Sequence, residues 1–373
     1  MTANAPIREN ELIDAAIAWL SKRLPENWTV MRSSRPELAQ GEGRTDAAIE
    51  IGAPRAVARL AVEARRTLGP RDVDRMLGSV SRVLRALSPH VPILVVAPWL
   101  SPRTRELLSA QGVNYIDLTG NALVRLENPT LFLQSCGAAR DPSPAQRGKA
   151  RVRGPKAGRL IRTLIDVRPP YGVRELAEAA RLAPGYVSRL LAALDDEVLI
   201  ERLKRGRVQA VDVGGLLGRW AESYDVFSSN DAATFLAAAG AARTLPLLGD
   251  LPSRPQSAVT GSFAAVRLAP VAAPALLSVY AEDVDAVASA LDLIPADEGA
   301  NVVLLSPSDA VVWERTIERD GVRYVAPSQA AIDCLTGNGR MPAEGEALLE
   351  WMLANEEEWR LDSLADLARS GAA

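Results

Sequence analysis

Residues 173–211 constrain the fold of this chain more than any other stretch, because several structural signals follow one another there in a fixed order. Leu176, Ala177 and Ala180 recur at helical spacing. The pattern breaks at residues 182–185, where proline favours the first turn of a new helix and glycine permits the bend. A second helical pattern then comprises Val187, Leu190, Leu191 and Leu194, and two apolar runs (198–200 and 208–211) bracket a basic turn. We therefore predict two short helices followed by a strand–basic turn–strand.

This order of elements is typical of a winged helix-turn-helix, in which the second helix enters a DNA major groove and the hairpin touches phosphate. Because the apolar positions of the second helix face the core, its outer side carries the candidates for base or phosphate contact: Tyr186, Ser188 and Arg189. The predicted phosphate-backbone contacts are Arg181, Lys204, Arg205 and Arg207. The alternative is a helical hairpin beside a surface turn, because the helix-turn-helix pattern alone is permissive.

The distribution of charge favours a nucleic-acid partner, although the net charge of the whole chain is −3. Residues 140–207 contain 16 Lys or Arg against 8 Asp or Glu, and the rest of the chain is acidic. Residues 138–157 are rich in Gly, Pro, Ala, Arg and Lys, which predicts a basic linker. Its basic side chains could follow a DNA backbone, or it could be only a solvated tether: Arg147, Lys149, Arg151, Arg153 and Lys156.

A chain of 373 residues is too long for one ordinary core, so several domains are expected. The predicted order is an α/β domain (1–137), the basic linker (138–157), the winged helix (158–213) and a mixed α/β regulatory or dimerisation domain (214–373). In the first domain the patterns predict helices at 11–23, 70–87 and 101–111 and strands at 45–51, 57–64, 91–97 and 113–118. Later strands are predicted at 257–262, 276–280, 301–305 and 310–313.

Composition argues against several kinds of chemistry. The single histidine, His90, disfavours Ser–His or Cys–His catalysis and zinc sites built from several histidines. Cys136 and Cys334 lie far apart and form no metal-like pair, which predicts a cytoplasmic protein without structural disulfides. No apolar run approaches the length of a membrane span, so no membrane partner is expected. Carboxylate–magnesium chemistry remains open, because it needs only Asp and Glu.

The first domain carries three positions that resemble the PD-(D/E)xK nuclease fold, over about residues 8–135. They are Glu11 on a predicted helix, Asp46 on a strand, and Glu63-Ala64-Arg65 on the next strand. The resemblance implies Asp46 and Glu63 as ligands of Mg²⁺, with the residue two positions after Glu63 helping to activate water. Strand alternation puts Glu63 and Arg65 on one face.

The family's lysine is replaced here by Arg65, which keeps the charge but does not readily release a proton. We therefore expect a degenerate nuclease fold without a cofactor, used for binding, oligomerisation or sensing. If the domain cleaves DNA, its catalytic set is Asp46, Glu63, Arg65 and Glu11, with Mg²⁺. Otherwise Asp46 and Glu63 are ordinary charges paired with Arg44 or Arg65.

Two later stretches resemble the C-terminal part of AbiEi-type antitoxins and transcriptional regulators, and the match covers about residues 158–352. The first is Gly261-Ser262-Phe263-Ala264-Ala265 and the second runs from Arg323 to Glu344. The resemblance implies a winged helix joined to a mixed α/β domain, repression of the protein's own operon and, in the antitoxin role, a toxin partner.

Together these features predict a sequence-specific transcriptional regulator, a repressor, that binds double-stranded DNA as a homodimer. One alternative is a metal-dependent nuclease of defence or repair that the winged helix targets to DNA. The second alternative is the antitoxin of a type IV toxin–antitoxin system.

Overall fold

The computed structural model describes residues 8–33, 47–87, 91–138, 141–142, 152–203, 206–251 and 256–370. The chain combines helices with mixed β-sheets and divides into two compact units. The first unit comprises Met1–Lys149 with Asp196–Val198, and the second comprises Ala150–Asp195 with Leu199–Ala373. The segments predicted as winged helix and C-terminal domain therefore lie almost entirely within one unit.

The first unit is built around a seven-stranded sheet whose strands are ordered β1 to β7 as in the sequence. Its elements are α1 (Glu9–Ser21), β1 (Thr29–Arg32), β2 (Ala47–Ala53), β3 (Ala56–Ala64), α2 (Pro70–Leu87), β4 (Ile93–Ala97), α3 (Pro102–Ala110), β5 (Asn114–Asp117), β6 (Ala122–Leu126) and β7 (Leu131–Ser135). Strands β3, β4 and β5 are parallel, whereas the outer pairs are antiparallel. This pattern follows from the connections, because a parallel pair needs a crossover and α2 and α3 supply the two crossovers.

Two apolar clusters cover the two faces of this sheet. One contains the buried stripe of α1, formed by Leu12, Ile13, Ala16 and Leu20. The other contains Val73, Met76 and Leu77 of α2 and Leu108 of α3. With both faces covered, β4 is buried along almost its whole length, which confirms the strand predicted from its continuous apolar run.

The second unit begins with a helical segment that ends in a β-hairpin. It comprises α4 (Pro155–Asp166), α5 (Val173–Ala179), α6 (Pro184–Asp196), β8 (Ile200–Arg202), β9 (Val208–Val211) and α7 (Val213–Ala221). The two predicted helices and the predicted hairpin are confirmed as elements. Helix α4 begins before residue 158, inside the predicted linker, because Pro155 occupies its first turn.

The remaining chain forms a second seven-stranded sheet with the order β13-β10-β14-β12-β11-β16-β15. Its elements are β10 (Asp231–Leu236), α8 (Ala241–Thr244), β11 (Ser257–Thr260), α9 (Ser262–Ala265), β12 (Leu277–Ala281), α10 (Val284–Ala290), β13 (Ile294–Pro295), β14 (Val302–Ser306), β15 (Ile317–Arg319), β16 (Val322–Tyr324), α11 (Pro327–Leu335), α12 (Met341–Ala354), α13 (Glu356–Trp359) and α14 (Leu364–Ser370). Two 3-10 helices, Leu245–Asp250 and Ala310–Trp313, complete it.

The strand predicted at residues 310–313 is wrong. These residues form a 3-10 helix because the Asp309 side chain accepts a hydrogen bond from the Val311 amide at 2.9 Å and caps the turn. Strand β10 carries no clear alternation and was not predicted. One hydrophobic core runs through the second unit, and its central element is α11, in which every residue from Pro327 to Cys334 is buried.

Candidate functional site

Helix α6 separates its apolar and polar residues as the sequence pattern predicts. Val187, Leu190, Leu191 and Leu194 are buried in the core of the second unit. Ser188 and Arg189 are exposed and Tyr186 is half-buried. Burial raises the pKa of the Tyr186 phenol, while the nearby Arg189 opposes this effect, so the hydroxyl stays protonated and can donate a hydrogen bond.

The turn between α5 and α6 begins at Arg181, one residue earlier than the predicted break. Arg181 has a φ of 52° and is exposed. Its amide donates to the Glu178 carbonyl at 3.1 Å, and the Leu182 amide donates to the Ala177 carbonyl at 2.8 Å. These two bonds form a Schellman motif, whose left-handed position is usually glycine. An arginine at this position is a strained choice, and its side chain is exposed.

The hairpin of β8 and β9 is fastened to the helices by Arg207. Its guanidinium donates to the Glu175 carboxylate and to the Pro170 carbonyl, both at 3.0 Å. Arg207 nevertheless stays half-exposed, with 52% of its side chain accessible. Lys204 and Arg205, also predicted to contact phosphate, lie outside the described residues.

The basic residues around α4 have very different environments. Arg153, just before the helix, and Lys156, in its first turn, are exposed. Arg147, Lys149 and Arg151 lie outside the described residues. Arg162 is only 1% exposed, so its charge is not available to a phosphate backbone.

Two of the nuclease-like positions of the first unit, Glu63 and Arg65, form an ion pair. Glu63 is 1% exposed in β3, and its carboxylate lies 2.6 Å from the Arg65 guanidinium. Glu11 is exposed, and its carboxylate accepts a hydrogen bond from the Arg8 amide at the start of α1. Asp46 lies outside the described residues. In the ranges that the structure describes, no three His, Cys, Asp or Glu side chains come close enough to hold a metal ion.

Of the two predicted Mg²⁺ ligands the structure describes only Glu63, and the Arg65 guanidinium that lies against it does not readily exchange a proton with water. A second buried carboxylate of this sheet, Asp117, was not singled out by the sequence. It accepts hydrogen bonds from Leu100, Thr119 and Asn121, which satisfy both of its oxygens. Asp117 therefore orders the loop after β5.

A buried polar cluster, here called the Asp333 centre, lies in the second unit. The Asp333 carboxylate accepts hydrogen bonds from Thr260 (2.6 Å), Tyr224 (2.8 Å), Gln329 (2.9 Å) and Tyr280 (3.0 Å). Burial raises the pKa of Asp333 to about 6, although these hydrogen bonds oppose the shift. Burial and the Asp333 charge also hold the pKa of Tyr280 well above its usual range.

Arg162 of α4 continues this polar cluster into the helical segment. Its guanidinium donates to the Gln329 side chain at 3.2 Å and to the carbonyls of Val311 and Glu314. Its Nε lies 3.4 Å from Asp166, whose carboxylate also pairs with Arg315 at 3.1 Å. Helix α4 is therefore joined to α11 and to the chain after β14 through buried hydrogen bonds.

A cavity of about 230 Å³ lies beside this network and is here called the α4 cavity. Helix α4 contributes Gly158 and Arg159, and Trp220 of α7 forms part of the apolar lining. The opposite wall includes Ser308 and Val312. The further lining residues are Gly154, Pro155, Ser223, Tyr224, Ser229, Asn230, Asp309, Val311 and Gln329.

No protein-family model matches the chain, and no curated protein or solved structure matches it either. Within the described ranges, no helix combines the length and the apolar character needed to cross a membrane.

No sequence pattern predicted the Asp333 centre or the α4 cavity. The only local signal was the four-residue spacing of Gln329 and Asp333, which places both on one face of α11.

Proposed function

We propose that this protein is a winged-helix transcriptional regulator that binds double-stranded DNA, with α6 in the major groove. The observation that carries the proposal is the outer face of α6, where Ser188 and Arg189 are exposed above a fully buried apolar face. Gly185 and Ala192 are exposed on the same helix and are small, so a groove wall can approach the backbone closely.

The neighbouring elements supply cations on both sides of this helix. Arg181 is exposed in the turn before α6, and Arg207 is half-exposed on the hairpin after it. Phosphate contacts of this kind fix the position of a recognition helix, whereas contacts to base edges provide specificity. Arg189 is the candidate for base contact, because an arginine fork matches the acceptor edge of guanine.

Binding-site selection with the full chain, followed by gel shifts on the selected duplex, tests the proposal. Arg189→Ala should lower specific affinity by about 1–3 kcal/mol, which is about 5- to 150-fold. The matched control is Arg243→Ala, which removes an exposed arginine from the short helix α8. Wild-type affinity of the Arg189→Ala variant for the selected site would refute the assignment of α6.

The first unit is proposed to act without cleaving DNA, because Arg65 stands where the nucleases that it resembles have lysine and does not readily release a proton. Plasmid and single-stranded DNA incubated with the full chain and Mg²⁺ or Mn²⁺ should remain intact. Cleavage that Glu63→Ala abolishes would establish the nuclease alternative instead.

The AbiEi-type resemblance adds that the regulator represses its own operon, and the small size of one recognition helix favours binding as a homodimer. Sedimentation of the complex with the selected duplex should give two chains per site. One chain per site would contradict the homodimer. An adjacent gene for a nucleotidyltransferase would favour the antitoxin role.

A further inference from the structure

Strand β7 forms one edge of the first sheet, and its sequence lacks the features that usually protect such an edge. Proteins guard edge strands with charged side chains, proline or bulges, because an edge presents unpaired N–H and C=O groups. The other three edge strands of the two seven-stranded sheets carry such a residue: Arg32 in β1, Pro295 in β13 and Glu318 in β15. Strand β7 reads Leu-Phe-Leu-Gln-Ser and pairs with β6 without a register shift. Its outer edge is therefore suited to a further strand.

The hydrogen bonds between β5 and β6 determine which main-chain groups of β7 face outwards. The Asp117 amide at the end of β5 donates to the Asn121 carbonyl at 2.8 Å, so residue 121 directs its main chain towards β5. Because the direction alternates along a strand, every second residue of β6 from position 122 onwards faces β7. Their partners are the odd-numbered residues of β7, from 131 to 135. The N–H and C=O groups of Phe132 and Gln134 therefore face the open edge.

The side chains of β7 add apolar surface on both faces of this edge. Phe132 is 66% exposed, and the Arg125 guanidinium of the neighbouring strand lies 5.9 Å from the centre of its ring. On the other face, Leu131 and Leu133 are half-buried against the apolar cluster that contains α1. Among the strands that the structure describes, β7 has β6 as its only neighbour. A strand added at this edge would bury Phe132 on one face and extend the apolar cluster on the other.

We propose that β7 pairs in antiparallel orientation with β7 of a second copy of this chain, centred on Leu133. A twofold axis through this point relates two identical antiparallel strands, so the contact closes as a dimer. This register uses the whole strand and places Phe132 opposite the partner subunit's Gln134. Both residues have outward N–H and C=O groups, so each opposite pair exchanges both of its hydrogen bonds. The two seven-stranded sheets then form one continuous sheet.

Three features favour a second copy as the occupant of this edge. Strand β7 carries no charge, so two identical strands approach without repulsion. Leu133 meets its own counterpart and joins the two apolar clusters, while the two Phe132 rings become diagonal neighbours, which aromatic side chains can bridge. Pairing of β7 with β1 would instead leave an open edge on each pair and propagate into a filament. In β1, moreover, Arg32 already pairs with Asp14 at 3.0 Å.

This contact supplies the interface for the homodimer of the proposed function, but it forms without DNA. The first unit then has a role in assembly that requires neither a metal ion nor cleavage of DNA. Dimerisation is measured on the protein alone, so its result is independent of the DNA-binding experiments.

Sedimentation velocity of the full chain without DNA tests the dimer. A contact of one strand per chain is small for a protein interface, so we expect a dissociation constant in the range of about 1–100 µM. Gln134→Pro removes an outward N–H that β6 does not use and places a ring in the path of the partner strand. It should raise the dissociation constant at least about tenfold without unfolding the first unit. The matched control, Gln134→Thr, keeps the N–H and favours a strand, so it should dimerise as wild type.

Disulfide cross-linking tests the register. The background variant is Cys136→Ser, which removes an exposed thiol. Leu133→Cys faces its counterpart at a pair without mutual hydrogen bonds, where the Cα atoms lie about 4.5 Å apart and a disulfide can form. Oxidation with diamide should therefore give a covalent dimer on a non-reducing gel. The matched control is Leu131→Cys, half-buried on the same face but about 14 Å from its counterpart, which should stay uncross-linked.

A wild-type chain that sediments as a monomer at about 100 µM would overturn the inference. Unchanged dimerisation of a Gln134→Pro variant that unfolds at the wild-type temperature, or equal cross-linking at positions 131 and 133, would overturn it as well. If Gln134→Pro does not fold, the two cysteine variants decide. A chain that dimerises through β7 but binds no DNA would refute the proposed function and leave this inference standing. A chain that binds the selected duplex but is monomeric in its absence would refute this inference alone.

Discussion

Replacing Asp333 with asparagine should remove a specific pH dependence from the stability of the second unit. Asp333 is fully buried, and burial raises the pKa of its carboxyl group from 3.8 to about 6. The folded chain therefore binds this proton more tightly than the unfolded chain does. The contribution of Asp333 to the free energy of unfolding is fully present below pH 3.8 and is lost as the pH rises through about 6.

The size of this effect follows from the two pKa values. A difference of about two, at about 1.4 kcal/mol per pH unit, gives about 3 kcal/mol over the whole titration. Between about pH 5 and about pH 7, where most surface carboxyl groups are already ionised, the loss is on the order of 1 kcal/mol. The Asp333→Asn variant has no proton to lose at this position. Its free energy of unfolding should therefore fall further below that of wild type at about pH 5 than at about pH 7, by the amount of this loss.

Hydrogen–deuterium exchange of the α11 amides, measured by mass spectrometry across a urea series, reports the stability of this unit separately from the first. The control is Val279→Ala on β12, which shortens a buried apolar side chain and should cost the same at both pH values. If the free energy of unfolding of wild type and that of Asp333→Asn differ by the same amount at both pH values, Asp333 does not have the raised pKa that its burial indicates, and the reasoning is refuted. A wild-type unit that becomes more stable through this range relative to the variant would reverse the sign and refute the reasoning.

Three further substitutions have defined expectations. Arg162→Met should destabilise the second unit by about 3–5 kcal/mol, because it leaves buried acceptors without their donor. The control Arg168→Met removes a partly exposed ion pair and should cost less than about 1 kcal/mol. The same exchange measurement compares the two variants, and equal losses of stability would contradict the prediction. Arg181→Gly should stabilise the unit by about 1 kcal/mol by relieving the left-handed residue, yet weaken DNA binding in a gel shift; unchanged affinity would remove Arg181 from the interface. Glu175→Gln should release Arg207 and steepen the salt dependence of DNA binding; an unchanged slope would show that Arg207 makes no phosphate contact.

Short-range patterns predicted the elements of the α4–β9 segment. The helical spacing of Val187, Leu190 and Leu191 gave the buried face of α6, and the same spacing predicted that Ser188 and Arg189 are exposed. Such patterns work here because burial on a helix depends on neighbours three and four residues away.

The sequence failed where a residue's environment comes from distant parts of the chain. Arg162 counted as one of the basic residues of 140–207, but the carbonyls of Val311 and Glu314, from a segment far along the sequence, enclose it. Arg162 lies on the buried face of α4, where sequence patterns predict an apolar side chain, and no local rule predicts a buried arginine. The strand predicted at residues 310–313 failed because a cap from Asp309 decided the local conformation.

The sequence alone determined the helices and the hairpin of the α4–β9 segment, the uneven charge and the exposed face of α6, because these depend on composition and on the spacing of a few residues. Only the tertiary structure brings together the Asp333 centre. Thr260 lies on β11, 73 residues before Asp333, and Tyr280 lies on the neighbouring strand β12, 53 residues before it. The tertiary structure also decided the α4 cavity, which exists only where α4, α7 and residues 308–312 meet. Hydrogen bonds and cavities of this kind depend on distances that arise when the core packs, and packing across the fold leaves no periodic trace in the sequence.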